Sequence, residues 1–184
     1  MIQAVYIWGA QHEQLSYATS YIPTNGSTVT RLADVCNNSG NSDLINSTEG
    51  VLYVEISALA DDLTSRSISL SNGTYNNSLI LQYRNISNTI SIKKFTTLLS
   101  TFAVPSTTDY IKIAISYNTN IIKIYLNGLL KDTNNTFTSF PSNTLNRLNF
   151  DRSDGGEDFY GNVKCVAVFK EALSDTELEK LTTI

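Results

Sequence analysis

Asp151, Asp154, Glu157 and Asp158 fall within residues 151–158, divided by the pair Gly155-Gly156. Oxygen-rich clusters of this kind suit Ca2+, which takes roughly six to eight oxygen ligands. These four carboxylates are the candidate metal ligands, and calcium is the one cofactor the residues suggest. The spacing is not that of an EF-hand loop. The competing reading is a solvated acidic turn with Arg152 as its neighbour. A Ser/His/Asp arrangement would need His12, the only histidine, which lies in a polar stretch and reads as exposed. There is no phosphate-binding glycine loop. Cys36 and Cys165 lie far apart without metal-ligand spacing. They read as two small buried side chains, or as a disulfide if the compartment is oxidising.

Something must position those residues, and the composition points to strands. Of the 184 residues, 41% are hydrophobic and 16% charged, against a usual charged share of about 25%. Asn, Ser and Thr supply the polarity. Thr, Ile, Val and Tyr fill extended segments, and Asn, Ser and Gly fill the gaps, a partition that favours an all-β domain. The net charge is -4 and the densest basic spot is Lys93-Lys94, so no nucleic-acid partner is expected. No apolar run approaches the ~20 residues of a membrane span. The N-terminus does not read as a secretory leader. Asn-x-Ser/Thr sequons at Asn46, Asn72, Asn76 and Asn85 would matter only in a secreted eukaryotic protein.

Alternation places the strands. Residues 4–11 and 28–36 read as extended, with Pro23 and Asn25-Gly26 as turn signals between them. In 50–58, Leu52, Val54 and Ile56 face one side, and Tyr53, Glu55 and Ser57 the other. Two strands flank Asn72-Gly73, and residues 88–95 continue the pattern. The clearest hairpin spans 109–128. There Ile111, Ile113, Ile115 and Tyr117 match Ile122, Ile124 and Leu126 across an Asn-rich turn. Residues 146–153 and 159–169 read as the last strands. Short strands with turn signals every ~8–12 residues indicate a sandwich or jelly roll. Only 172–182 reads as helix, with Ser174 as N-cap, Glu177 completing a capping box, and Leu173, Leu178 and Leu181 as a stripe covering one end of the sandwich.

The order of these motifs resembles the C-terminal half of laminin-G-like domains of the concanavalin A-like lectin/glucanase superfamily. Tyr125, Asn127 and Gly128 match the family's strand ending in Tyr-x-Asn-Gly. Phe159, Gly161, Val163, Val168 and Phe169 match its last strand. Leu173, Ser174, Asp175, Glu177 and Leu178 match its closing helix. The stretch from Tyr6 to Val35 is similar to segments of bacteriophage tail proteins, where the Trp-Gly-Ala-Gln part ends a preceding domain. The resemblance therefore implies an N-terminal segment over 1–15 and an antiparallel β-sandwich, a laminin-G-like jelly roll with one short C-terminal helix, over 16–184.

The superfamily's retaining glucanases carry Glu-x-Asp-x-x-Glu on one strand, setting two carboxylates ~5–5.5 Å apart. This chain has no such spacing: Glu55 is followed by Ile56, Ser57 and Ala58, and Asp61-Asp62 fall in a turn. No enzyme is expected. Paired as in laminin-G-like domains, the strands would present Tyr53, Glu55, Gln82, Arg84, Lys112, Lys123 and Tyr125 on one concave face. Such a face suits sugars, which stack on aromatic rings and hydrogen-bond to amide, carboxylate and guanidinium groups. The expectation is a non-catalytic carbohydrate-binding, host-receptor module of a phage tail, located in the virion tail or otherwise on a bacterial surface. Its partners would be a cell-surface glycan or polysaccharide and neighbouring tail-protein domains, with a homotrimer supplied through the parent protein. The alternatives are a spacer or capping domain of a tail fibre without its own ligand, and a glycan hydrolase lacking the usual motif.

Overall fold

The computed structural model describes residues 9–12, 19–30 and 40–183. The chain divides into two compact units, Met1–Val35 and Cys36–Ile184. Within the first, the Gln11 carboxamide is the local organiser: its Oε1 accepts from Ile22 N at 2.8 Å and its Nε2 donates to Thr19 Oγ1 at 3.3 Å. His12 is exposed. The boundary expected at residues 15 and 16, Trp8, Cys36 and most of the strands expected over 4–11 and 28–36 lie outside the described residues.

The second unit is a two-sheet sandwich. Its strands are β1 (Gly50–Ala58), β2 (Arg66–Ser71), β3 (Ser78–Tyr83), β4 (Thr89–Lys94), β5 (Thr97–Ala103), β6 (Ile111–Asn118), β7 (Ile121–Leu126), β8 (Leu129–Asn134), β9 (Arg147–Asn149) and β10 (Gly161–Phe169). The first sheet runs β10-β1-β6-β7-β8 and the second β5-β4-β3-β2-β9. Every neighbouring pair is antiparallel. The period-2 alternation sends one row of each strand inward. Leu52, Val54, Ile56, Ile113, Ile115 and Ile124 meet Ile68, Leu70, Leu79, Leu81, Ile90 and Ile92 in one core. The expected all-β sandwich is the observed fold. β5 and β8 were not legible as strands: the pattern of 97–103 is broken by polar residues, and β8 is an edge strand with Leu129 and Leu130 exposed.

Helix α1 (Asp175–Thr182) starts as its sequence dictates. Glu177 N donates to Ser174 Oγ at 3.4 Å, and Ser174 N donates to Glu177 Oε2 at 2.9 Å, the two halves of a capping box. Its position differs from expectation. The helix lies on the outer face of the first sheet rather than closing one end of the sandwich. Leu178 is fully buried there among Val51, Tyr53, Ala114 and Tyr125, flanked by Leu173 and Leu181. Those four sheet residues form an apolar row that water would otherwise meet. Lys123 Nζ reaches Asp175 at 2.6 Å, and Lys112 Nζ donates to Thr183 O at 2.8 Å. The second contact sets a cation at the negative end of the helix dipole.

Cys165 is a free, exposed thiol. It is neither buried nor in a disulfide, because β10 is the edge strand of its sheet and its middle residues face solvent.

Candidate functional site

The outer face of the second sheet carries the more unusual chemistry. The outward rows of β2, β3 and β4 are largely polar, Ile80 apart, where the inward rows are largely aliphatic. Ser67 stands opposite Gln82, Gln82 opposite Ser91, and Ser91 opposite Thr101. One step along, Asn149, Ser69, Ile80 and Lys93 form the next row. A further step gives Arg147, Ser71 and Ser78. Ser67, Ser69, Ser71, Ser78 and Ser91 are fully buried although they point away from the core.

Loops cover part of them. Residues 150–159 form a compact excursion closed at its neck, where Phe159 N donates to Phe150 O at 2.9 Å. Phe150 and Phe159 anchor the two ends against the core, and Phe159 stacks on Tyr83 at 6.0 Å between centroids. Gly161 follows because the chain then passes close to β1: a Cβ there would sit 2.5 Å from Ser57 O. Inside the loop, Arg152 N donates to Gly156 O at 2.8 Å. Ser153 and Glu157 both hold positive φ, at 79° and 58°, a conformation that side-chain-bearing residues adopt only when their surroundings enforce it.

That backbone aims Glu157 across the sheet. Its Oε2 accepts from Ser67 Oγ at 2.7 Å and from Gln82 Nε2 at 2.5 Å, while its main-chain oxygen accepts from Ser67 N at 2.8 Å. Gln82 Oε1 in turn accepts from Ser91 Oγ at 3.1 Å. A single network thus runs from the loop across β2, β3 and β4. A carboxylate offers about four lone-pair positions, so Glu157 keeps acceptor capacity beyond these bonds. Its Oε1 lies 3.4 Å from Arg152 Nη1.

Cations border the network. Arg152 packs its guanidinium over the Tyr75 ring at 4.8 Å and pairs with Asp154 at 2.9 Å. The hydrogen bond from Arg152 is the main reason the Asp154 carboxyl sits below its ordinary pKa. Arg84 follows β3 directly, its N–H donating to Thr89 O at 2.9 Å, so the strand alternation carries it to the same outer side as Gln82, and Lys93 belongs to the outward row of β4. Both side chains are half-buried, and neither makes a hydrogen bond or ion pair with another described residue. They bracket the Gln82–Ser91 pair along the strands.

The seven residues expected to share one face are divided. Gln82 and Arg84 stand on the outer face just described. Tyr53, Glu55, Lys112, Lys123 and Tyr125 stand on the outer face of the first sheet, on the opposite side of the sandwich, because β1, β6 and β7 pair with each other and not with β3. Tyr53 and Tyr125 are 6% and 5% exposed, too little to stack on a ligand, since α1 lies over them. Burial also raises both phenol pKa values. Glu55 pairs with Lys164 at 3.2 Å.

The four candidate calcium ligands do not converge either. Asp154 is taken by Arg152, Glu157 by Ser67 and Gln82, Asp151 by Ser153 N, and Asp158 accepts from the Tyr160 hydroxyl. Among the described residues no three His, Cys, Asp or Glu side chains come together where they could hold a metal ion. What the residue-by-residue reading missed is that Glu157 and Gln82, assigned to different sites, touch each other. The serines at 67, 69 and 71 were the available signal: they mark an outer row kept small.

Fold and motifs define the class. Residues 52–179 match the family model of the concanavalin A-like lectin/glucanases superfamily, and the chain belongs to it. No curated protein matches the chain. Among solved structures it is similar to the Ruminococcus gnavus IT-sialidase CBM40, at 17% identity and a TM-score of 0.59 over 75% of this chain and 84% of that one. The same module bound to alpha2,3 sialyllactose is similar at 17% identity and a TM-score of 0.57, over 74% and 83% of the two chains. The leech intramolecular trans-sialidase is similar at 18% identity and a TM-score of 0.58, over 75% of this chain but 24% of that one. This chain therefore spans about a quarter of that whole enzyme. At these identities the likeness is one of fold.

Proposed function

We propose that the domain is a non-catalytic carbohydrate-binding module whose ligand lies on the outer face of the second sheet and carries an acidic sugar. The observation that carries this reading is the pair of unpartnered cations, Arg84 and Lys93, set on either side of the Gln82–Ser91–Glu157 network. A guanidinium binds a carboxylate through two parallel, charge-assisted hydrogen bonds. The partly exposed Glu157, held in place by Ser67 and Gln82, supplies an acceptor for sugar hydroxyls at little reorganisation cost. Similar modules bound to sialyllactose fit the same class of ligand.

The non-catalytic reading has its own support. Strands β2, β3, β4, β5 and β9 contain no Asp or Glu. Glu157 therefore has no strand-borne partner for the two-carboxylate chemistry of glycoside hydrolysis. The wider setting we propose is host-receptor recognition in a phage tail protein, supported by the resemblance of the segment from Tyr6 to Val35.

The test is calorimetric titration with sialyllactose and with its methyl ester. Arg84→Ala is expected to weaken sialyllactose binding at least ~10-fold, as loss of a charge-assisted pair should. The ester should bind wild type as poorly, and Lys112→Ala, on the other side of the sandwich, should bind like wild type. Equal affinity of Arg84→Ala and wild type, or no binding to any acidic glycan on an array, overturns the proposal. The second outcome favours a ligand-free spacer.

A further inference from the structure

We infer that the domain holds a second, separate saccharide pocket, selective for neutral sugars, at the loop end of the sandwich. An open cleft of about 390 Å³ is lined by Ser42, Asp43, Asn46, Ser142, Asn143 and Lys170, with Ile45 and Ser47 beneath. That volume falls in the roughly 300–1,000 Å³ range of ligand clefts. None of these residues belongs to the outer-face site.

Three chain segments build the pocket, and hydrogen bonds lock them together. Asn46 Nδ2 donates to Lys170 O at 3.0 Å, tying the first loop to the end of β10. Its Oδ1 accepts from Thr48 N and Thr48 Oγ1, both at 3.0 Å. Leu145 N donates to Ser47 Oγ at 2.8 Å and Phe140 N to Ser47 O at 3.2 Å, tying the 140–145 turn to the same loop. The loop itself is wound on Asn41, whose oxygens accept from the main-chain N–H groups of Asp43, Leu44 and Ile45. Ile45, 3% exposed, joins the floor to the hydrophobic core. The scaffold is hydrogen-bonded throughout while its lining is uncommitted. The side chains of Ser42, Asp43, Ser142, Asn143 and Lys170 make no hydrogen bond or ion pair with any other described residue. Asn143 is presented on a left-handed residue, φ 59°, at the tip of the turn.

The chemistry of the lining selects the ligand. One carboxylate and one ammonium cancel, so the pocket offers a charged ligand no net attraction. A carboxylate accepts a pair of adjacent hydroxyls, an ammonium donates to ring or hydroxyl oxygens, and hydroxyl and amide groups do both. Vicinal hydroxyls of an uncharged sugar are the complement of this set. The domain would then grip a branched or extended glycan at two points, acidic residue and neutral residue, and gain avidity where both reach.

Backbone-resolved NMR titration tests the pocket independently of the outer face. The probes are glucose, galactose, N-acetylglucosamine and lactose, each taken to about 10 mM, above the ~1 mM range of weak sites. At least one is expected to shift the amide signals of Asp43, Ser142, Asn143 and Lys170 in a saturable way, leaving Gln82, Arg84 and Lys93 unmoved. Asp43→Ala and Lys170→Ala should each weaken that response ~10-fold or more while keeping the dispersed spectrum of the folded domain. The inference is overturned if no probe moves the loop signals, or if both variants respond as wild type does. Sialyllactose shifts at Arg84 address the outer-face reading alone, so either proposal can fail without the other.

Discussion

Tyr83 and Arg66 face each other across β2 and β3 on the inward rows. Arg66 is satisfied in part: it holds Asp62 through two hydrogen bonds, at 2.7 and 2.8 Å, and donates to the carbonyls of Ala60 and Thr64. Its Nε and the Tyr83 hydroxyl are buried without a partner. An orphaned hydroxyl loses its water and gains nothing in return. Tyr83→Phe keeps the stack on Phe159 and removes that cost, so chemical unfolding should show equal or greater stability, by up to about 1 kcal/mol. A loss above about 1 kcal/mol would mean that the hydroxyl has a partner after all. Asp62 gives a second residue-scale prediction. Burial alone would raise its pKa, but hydrogen bonds from Arg66 and Thr64, with the Arg66 charge, outweigh this and hold it at about 2. An acid whose folded pKa is depressed contributes stability above its unfolded value, roughly 4, and loses it as pH falls toward the folded one. The wild-type melting temperature should therefore drop between about pH 4 and pH 2 more steeply than that of Asp62→Asn, and parallel curves would refute the assignment.

Element by element, short-range signals are legible in the sequence and the assignment of surfaces is not. The alternation of 50–58 marks β1 to the residue, and Ser174 with Glu177 marks the helix start, because both are set by neighbours in the chain. The stripe Leu173, Leu178 and Leu181 shows that α1 must bury a face. It carries no information about which sheet receives it. The receiving surface is Val51, Tyr53, Ala114 and Tyr125, drawn from three strands. Leu178→Ala should therefore cost about 2–4 kcal/mol, as deletion of a fully buried leucine does. Near-UV circular dichroism should report a changed tyrosine environment as the cover over Tyr53 and Tyr125 loosens. Lys123→Ala, which breaks a half-exposed ion pair to Asp175, should cost no more than about 1 kcal/mol. If the two variants are equally stable, the helix is not held by its apolar face.

At the scale of the whole molecule, sheet membership determines what can act together. The amino-acid sequence by itself determined the all-β class, most of the strands, the inward aliphatic rows and the capped helix. These follow from period-2 burial, turn chemistry and capping, which act over a few residues. It also contained every member of the outer-face network, but sorted Glu157 with the acidic loop and Gln82 with the tyrosines. Only the tertiary structure decided that a left-handed Glu157 reaches over β2 to Gln82 and that Arg84 and Lys93 are left without partners. It decided equally that Tyr53 and Tyr125 vanish beneath α1. The reason is physical: a strand's alternation says that a side chain faces outward, and says nothing about which sheet it is outward from. That choice is made by pairings between residues as far apart as Ser67 and Glu157, and by the element that covers each face.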